Sequence, residues 1–158
     1  MNHRNTSNDH PSKHIGRLLL LVGLVLGSCF LAPNVANAAM CNATVTSMGT
    51  ITPTPVVQSV AAANGARRYW TFNATAGYVY TFSTCGASAD HYLRIYTGVA
   101  PASATLVVGD DDGCGTFAGP SNLVWTATST ATFHILLTNY SCANISPATT
   151  LFYSGAPP

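Results

Sequence analysis

Charge is what this chain has least of: only 7% of its 158 residues are Asp, Glu, Lys or Arg, against about 25% in an ordinary globular domain. There is no Glu at all, and the single Lys is Lys13. A coiled coil or helical solenoid, which needs those residues in quantity, is thereby excluded. Beyond residue 38 the cations are Arg67, Arg68 and Arg94 and the anions Asp90, Asp110, Asp111 and Asp112, three against four, for a net charge of −1. No basic stripe exists to hold a nucleic acid, and nothing draws the chain to an acidic membrane. Long apolar runs are missing too. The run at 18–26 is broken by Gly27-Ser28-Cys29, short of the roughly 18 uninterrupted residues expected of a membrane span.

That short run belongs instead to an export signal. A polar start with Arg4, Lys13 and Arg17 precedes it, and Ala36-Asn37-Ala38 follows with small residues at the two positions a signal peptidase reads. Residues 1–38 are therefore expected to be a signal peptide cleaved after Ala38. A rival reading takes Leu26-Gly27-Ser28-Cys29 as a lipobox that would anchor a surface lipoprotein at Cys29. Phe30 and Leu31 weigh against it, because a lipidated Cys is normally followed by a polar tether. The mature chain is expected to be secreted, periplasmic or displayed at the cell surface.

The remaining residues form one domain at 39–153, with a Pro-rich end at 154–158 that leads to no second core, so the module is expected to stand alone. Four Cys remain, Cys41, Cys85, Cys114 and Cys142. An even number in an exported chain reads as two disulfides, and none lies at the close spacing of a zinc site. Three connectivities are open. The preferred one joins Cys85 to Cys114, tying two loops, and Cys41 to Cys142, pinning the N-terminus to a late strand.

Beta-branched and aromatic residues recur in short runs separated by Gly, Pro, Ser and Asn, the pattern of an all-β domain. Strands are expected at 68–73, 78–84, 91–97, 105–108, 123–127, 132–139 and 150–153, with a weaker one at 56–61. Alternation is clearest where Phe133, Ile135 and Leu137 share one face, and Leu93 and Ile95 repeat it. About eight strands in one domain must close on each other as a two-sheet sandwich or a barrel. Asn73-Ala74-Thr75-Ala76-Gly77 reads as a hairpin turn joining 70–72 to 78–80.

The strings Tyr80-Thr81-Phe82-Ser83-Thr84-Cys85-Gly86, Asp90-His91-Tyr92-Leu93-Arg94-Ile95-Tyr96 and Asp110-Asp111-Asp112-Gly113-Cys114-Gly115 resemble the bacterial pre-peptidase C-terminal domain. The likeness continues through Leu123-Val124-Trp125-Thr126-Ala127 and 132–137, covering most of 65–153. It implies a jelly-roll-like β-sandwich acting as a non-catalytic accessory or binding module. In calcium-dependent members of the family, carboxylates in such loops hold the ion.

The residues themselves point the same way. All four mature carboxylates lie between positions 90 and 112, and like charges so close repel by about 1 kcal/mol per pair in water, more when desolvated. Calcium, bound by carboxylate, carbonyl and water oxygens, would neutralise them, with Asp90, Asp110 and Asp112 as first ligands and Asp111 next. The plainer alternative is a solvated Asp-Gly turn whose side chains bond their own backbone, with Arg94 as counter-charge. Tyr92, Arg94 and Tyr96 alternate onto one strand face, a candidate strip for docking an extracellular protein or stacking on a glycan; cross-strand pairing on a solvated face is the plainer use. Catalysis finds little support. The mature His residues, His91 and His134, both fall in expected strands, and there is no Gly-x-Ser-x-Gly, His-Glu-x-x-His or phosphate loop. A small secreted hydrolase using Asp90 with Asp112 remains the enzymatic alternative.

Overall fold

Side chains on a strand point to opposite faces in turn, so Phe133, Ile135 and Leu137 land together on one face, and all three are buried. The computed structural model describes residues 40–42 and 44–158; the signal segment, its cleavage after Ala38 and the alternative anchor at Cys29 lie outside them. Nine strands follow in order: β1 Val45–Thr50, β2 Gln58–Ala62, β3 Arg67–Ala74, β4 Val79–Ser83, β5 His91–Val99, β6 Ser103–Asp110, β7 Asn122–Thr126, β8 Ala131–Asn139 and β9 Thr149–Ala156. They build a five-stranded sheet, β1-β3-β8-β5-β6, and a four-stranded sheet, β2-β9-β4-β7. All neighbours are antiparallel except β1 and β3.

The two sheets meet through an apolar layer. One sheet supplies Trp70 and Phe72 from β3, Leu93 and Ile95 from β5, and Phe133, Ile135 and Leu137 from β8; the other supplies Tyr80 and Phe82 from β4, Leu123 and Trp125 from β7, and Leu151 from β9. Register brings Phe72 opposite Phe133 and Tyr80 opposite Trp125. Ring centroids then lie 5.1 Å apart for Phe72 and Phe82 and 4.8 Å for Trp125 and Phe133, within the range where tilted and edge-on rings attract. The Tyr80 hydroxyl escapes burial without a partner by accepting the Thr75 amide at 2.8 Å.

Several sequence expectations need correction. Residues 73–77 do not turn a hairpin: β3 and β4 belong to different sheets, so this segment crosses the sandwich. Short spacing between two alternating runs signals a hairpin only if the runs pair. β1 was not expected, because Val45-Thr46-Ser47-Met48-Gly49-Thr50 has no alternation and is almost wholly exposed. It is held at the sheet edge by backbone pairing, with an irregularity at Gly49, whose φ of +87° suits glycine. β9 runs on to Ala156, shortening the Pro-rich end, and Gly155 is needed there, since a Cβ would sit 2.6 Å from the Tyr80 ring.

The disulfides join Cys41 to Cys142 and Cys85 to Cys114, with Cα atoms 5.7 and 5.6 Å apart. The first clamps the turn Met40–Asn42 over the outer face of the five-stranded sheet. There Met40, Tyr96, Ala104 and Leu136 form a second buried cluster. Tyr92, Arg94 and Tyr96 do share a face, as alternation requires, but it is not an open docking strip: Arg94 is 8% exposed and Tyr96 4%. The Arg94 guanidinium lies 3.4 Å over the Tyr92 ring centroid and donates to the Thr138 hydroxyl at 3.1 Å.

Replacing Phe72 by Ala is expected to cost about 3–5 kcal/mol, because its ring contacts both sheets. Urea unfolding would show this as a lower midpoint at unchanged slope.

Candidate functional site

At one end of the sandwich the β4–β5 loop (84–90), the β6–β7 loop (111–121) and the approach to β9 (146–148) converge. Ser121, fully buried, is the hub. Its backbone pairs with Thr84, whose amide donates to the Ser121 carbonyl at 2.9 Å and whose hydroxyl accepts the Ser121 amide at 3.0 Å. The Ser121 hydroxyl reaches the carbonyls of Asp110 at 2.9 Å, Asp111 at 3.0 Å and His91. The Cys85–Cys114 disulfide fastens the same two loops covalently.

The consecutive aspartates point apart and do different work. Asp110 Oδ2 accepts the amides of Gly113 at 2.9 Å and Asn122 at 2.8 Å, and Asp112 Oδ1 accepts that of Gly119 at 2.9 Å. These are loop-organising bonds, the self-capped turn that Asp-Gly sequences favour. Asp90 and Asp111 each keep one buried carboxylate oxygen with no hydrogen-bond partner. Desolvation, then the charges of Asp90 and Asp112, push the Asp111 carboxyl above its ordinary range, with Arg94 opposing. Among the described residues no group of three or more His, Cys, Asp or Glu side chains is gathered to hold a metal ion.

The two histidines among the described residues contrast. His134 has both ring nitrogens engaged, Nδ1 with the Thr71 hydroxyl at 3.0 Å and Nε2 with the Gly98 carbonyl at 3.1 Å, so its role is structural. His91 is fully buried and neither ring nitrogen has a partner. It belongs to the lining of a cavity of about 410 Å³ between the 84–88 loop and the start of β9. The sequence reading set His91 aside as a strand residue. The available signal was its parity with Leu93 and Ile95, which turns an imidazole toward the core.

Comparison with known proteins gives likenesses of architecture. No family model and no curated protein sequence matches the chain. Among solved structures, the pre-peptidase C-terminal domain of a collagenase from Bacillus anthracis is similar with a TM-score of 0.48 at 8% identity, covering 73% of this chain and 99% of that one. A periplasmic inhibitor of g-type lysozyme from Aeromonas hydrophila gives 0.48 at 14%, covering 70% and 100%. A surface-associated copper-binding protein of Methylomicrobium album gives 0.43 at 10%, covering 73% and 100%.

Burial lowers the His91 pKa from its ordinary 6.5, with Asp90 partly opposing. The unfolded chain therefore binds the His91 proton more readily than the folded one, and the histidine's contribution to stability is full above 6.5 and lost as pH falls through that value. Asp111, with a raised pKa, acts with the opposite sign, and its window opens at its ordinary 3.8. Melting temperature should fall on acidification through pH 6.5 in the native protein and lose that slope in His91→Phe.

Proposed function

We propose that this chain is an exported, non-catalytic binding module of the pre-peptidase C-terminal kind, working in the periplasm, at the cell surface or beyond. The carrying observation is the pair of disulfides at separations of 101 and 29 residues, which fit an oxidising compartment. No helix among the described residues is long and apolar enough to cross a membrane. Of the Asp90–Asp112 pair a hydrolase would use, Asp112 is committed to the Gly119 amide, and Asp110 and His134 are engaged by backbone amides and by Thr71 and Gly98. The convergent loops at the Cys85–Cys114 end are the binding end.

Fractionation of cells making the full chain, followed by intact mass without reductant, tests this reading. A product outside the cytoplasm that lacks four thiol hydrogens and is silent on a hydrolase panel supports it; a reduced cytoplasmic product, or turnover, overturns it.

Calcium is a second reading, favoured by the unpartnered buried oxygens of Asp90 and Asp111, since the ion is held by oxygen ligands and carboxylates above all. A structural ion there would order the loops and activate no water. Calcium at one hundred times its dissociation constant would then stabilise by about 2.7 kcal/mol, a rise in melting temperature that Asp111→Asn removes. A flat melt across a calcium series leaves the aspartates as turn caps.

A further inference from the structure

We infer that the exposed ring of Phe117 docks on a second copy of this chain, each copy seating its Phe117 in an apolar depression beside Phe152 of the other. This rests on the reading of the Cys85–Cys114 end as the binding end and names a partner for it.

Phe117 is 97% exposed, whereas Phe72, Phe82 and Phe133 are buried. The loop holds it out by construction. The Cys114 amide donates to the Pro120 carbonyl at 3.2 Å and the Gly119 amide to Asp112 Oδ1 at 2.9 Å, while the disulfide fixes Cys114 itself. Thr116, Phe117 and Ala118, all exposed, project from that closed base. A ring presented on a fastened loop loses little freedom on docking, which suits an aromatic to serve as an anchor.

The receiving site is on the same molecule. On the β9 and β4 side of the four-stranded sheet lies a depression of about 230 Å³ whose lining includes Val57, Thr81, Phe152 and Tyr153. An apolar cavity of about 150 Å³ accepts benzene, so a phenyl ring has room. None of β2, β4, β7 and β9 carries Asp, Glu, Lys, Arg or His. The acids at the base of the Phe117 loop, Asp111 and Asp112, therefore meet no like charge on the sheet they approach, and no ion on that sheet has to be stripped of water.

Proximity favours a closed pair over an open chain of copies. A two-fold contact requires knob and depression on one patch, so that both are served at once. Cys85 lines the depression, its Cα is 5.6 Å from that of Cys114, and the three residues on to Phe117 span at most about 11 Å. Two such rings, each burying roughly 150–250 Å², fall short of the roughly 1,200 Å² of a standard interface. The dimer is accordingly weak, with a dissociation constant above about 1 μM.

Sedimentation of the oxidised protein secreted from the full chain, from about 10 μM to about 1 mM, should show monomer giving way to dimer and to nothing larger. Phe117→Ser should raise the dissociation constant at least about tenfold without changing the melting temperature. Thr81→Trp, which fills the depression and leaves Phe117 in place, should do the same. In a mixture of 13C-labelled and unlabelled copies, intermolecular NOEs should join the Phe117 ring to the Val57 methyls. A monomer at the highest concentration, growth beyond dimer, a dimer that both variants keep, or a dimer without those NOEs overturns the proposal. So does a monomer whose Phe117 signals broaden with phosphatidylcholine vesicles, which would assign the ring to a lipid surface. Each of these failures leaves the binding-module reading standing, since that reading falls on a reduced cytoplasmic product or on turnover.

Discussion

Phe72 is where the two sheets hold each other. Its ring centroid lies within 6.5 Å of those of Tyr80, Phe82, Trp125 and Phe133, so one side chain of β3 touches its neighbour strand and the opposing sheet together. In a chain with 7% charged residues, apolar burial has to supply most of the driving force for folding. The aromatic layer concentrates that burial at the centre. The consequence lies at the periphery: a centre can orient two sheets, but it cannot hold loops at their ends.

The ends are held by other means. One disulfide ties the N-terminal turn to the turn after β8, and the other ties the β4–β5 and β6–β7 loops. Between them Ser121, Asp110 and Asp112 satisfy backbone groups that the loops would otherwise leave unpaired. Half of the aspartates among the described residues are thus occupied in shaping one loop, and this explains why clustered acids need not imply a bound ion. Asp90 and Asp111, left with unpartnered oxygens, are the exception on which the calcium reading depends.

What could be read from the sequence was what depends on parity and composition. Phe133, Ile135, Leu137, Leu93 and Ile95 announced their strands and their shared face, and the Cys count in a chain read as exported announced two disulfides. What escaped depends on partners distant in the chain. β1 has no pattern of its own and exists because β3 offers an edge. The 73–77 segment could not be told from a hairpin turn without knowing that its flanking strands pair elsewhere. Tyr92, Arg94 and Tyr96 alternate as a surface strip would, yet Met40 and the Cys41 linkage cover that face. Alternation reports sidedness, and only tertiary structure decides whether the outer side stays outside.

His91 shows the same logic in reverse. Its parity with Leu93 and Ile95 assigned it to the core face, where local rules call for an aliphatic side chain. A fold whose levels otherwise agree breaks such a rule chiefly where function asks for it. The other buried imidazole, His134, is compensated by a hydroxyl and a carbonyl and so breaks nothing. An uncompensated donor and acceptor beside a cavity with a neutral, hydroxyl-bearing lining therefore mark the end of the sandwich where sequence, packing and polar satisfaction disagree. That disagreement distinguishes the cavity from the aspartate loop beside it, where Asp110 and Asp112 are already answered by the protein's own backbone.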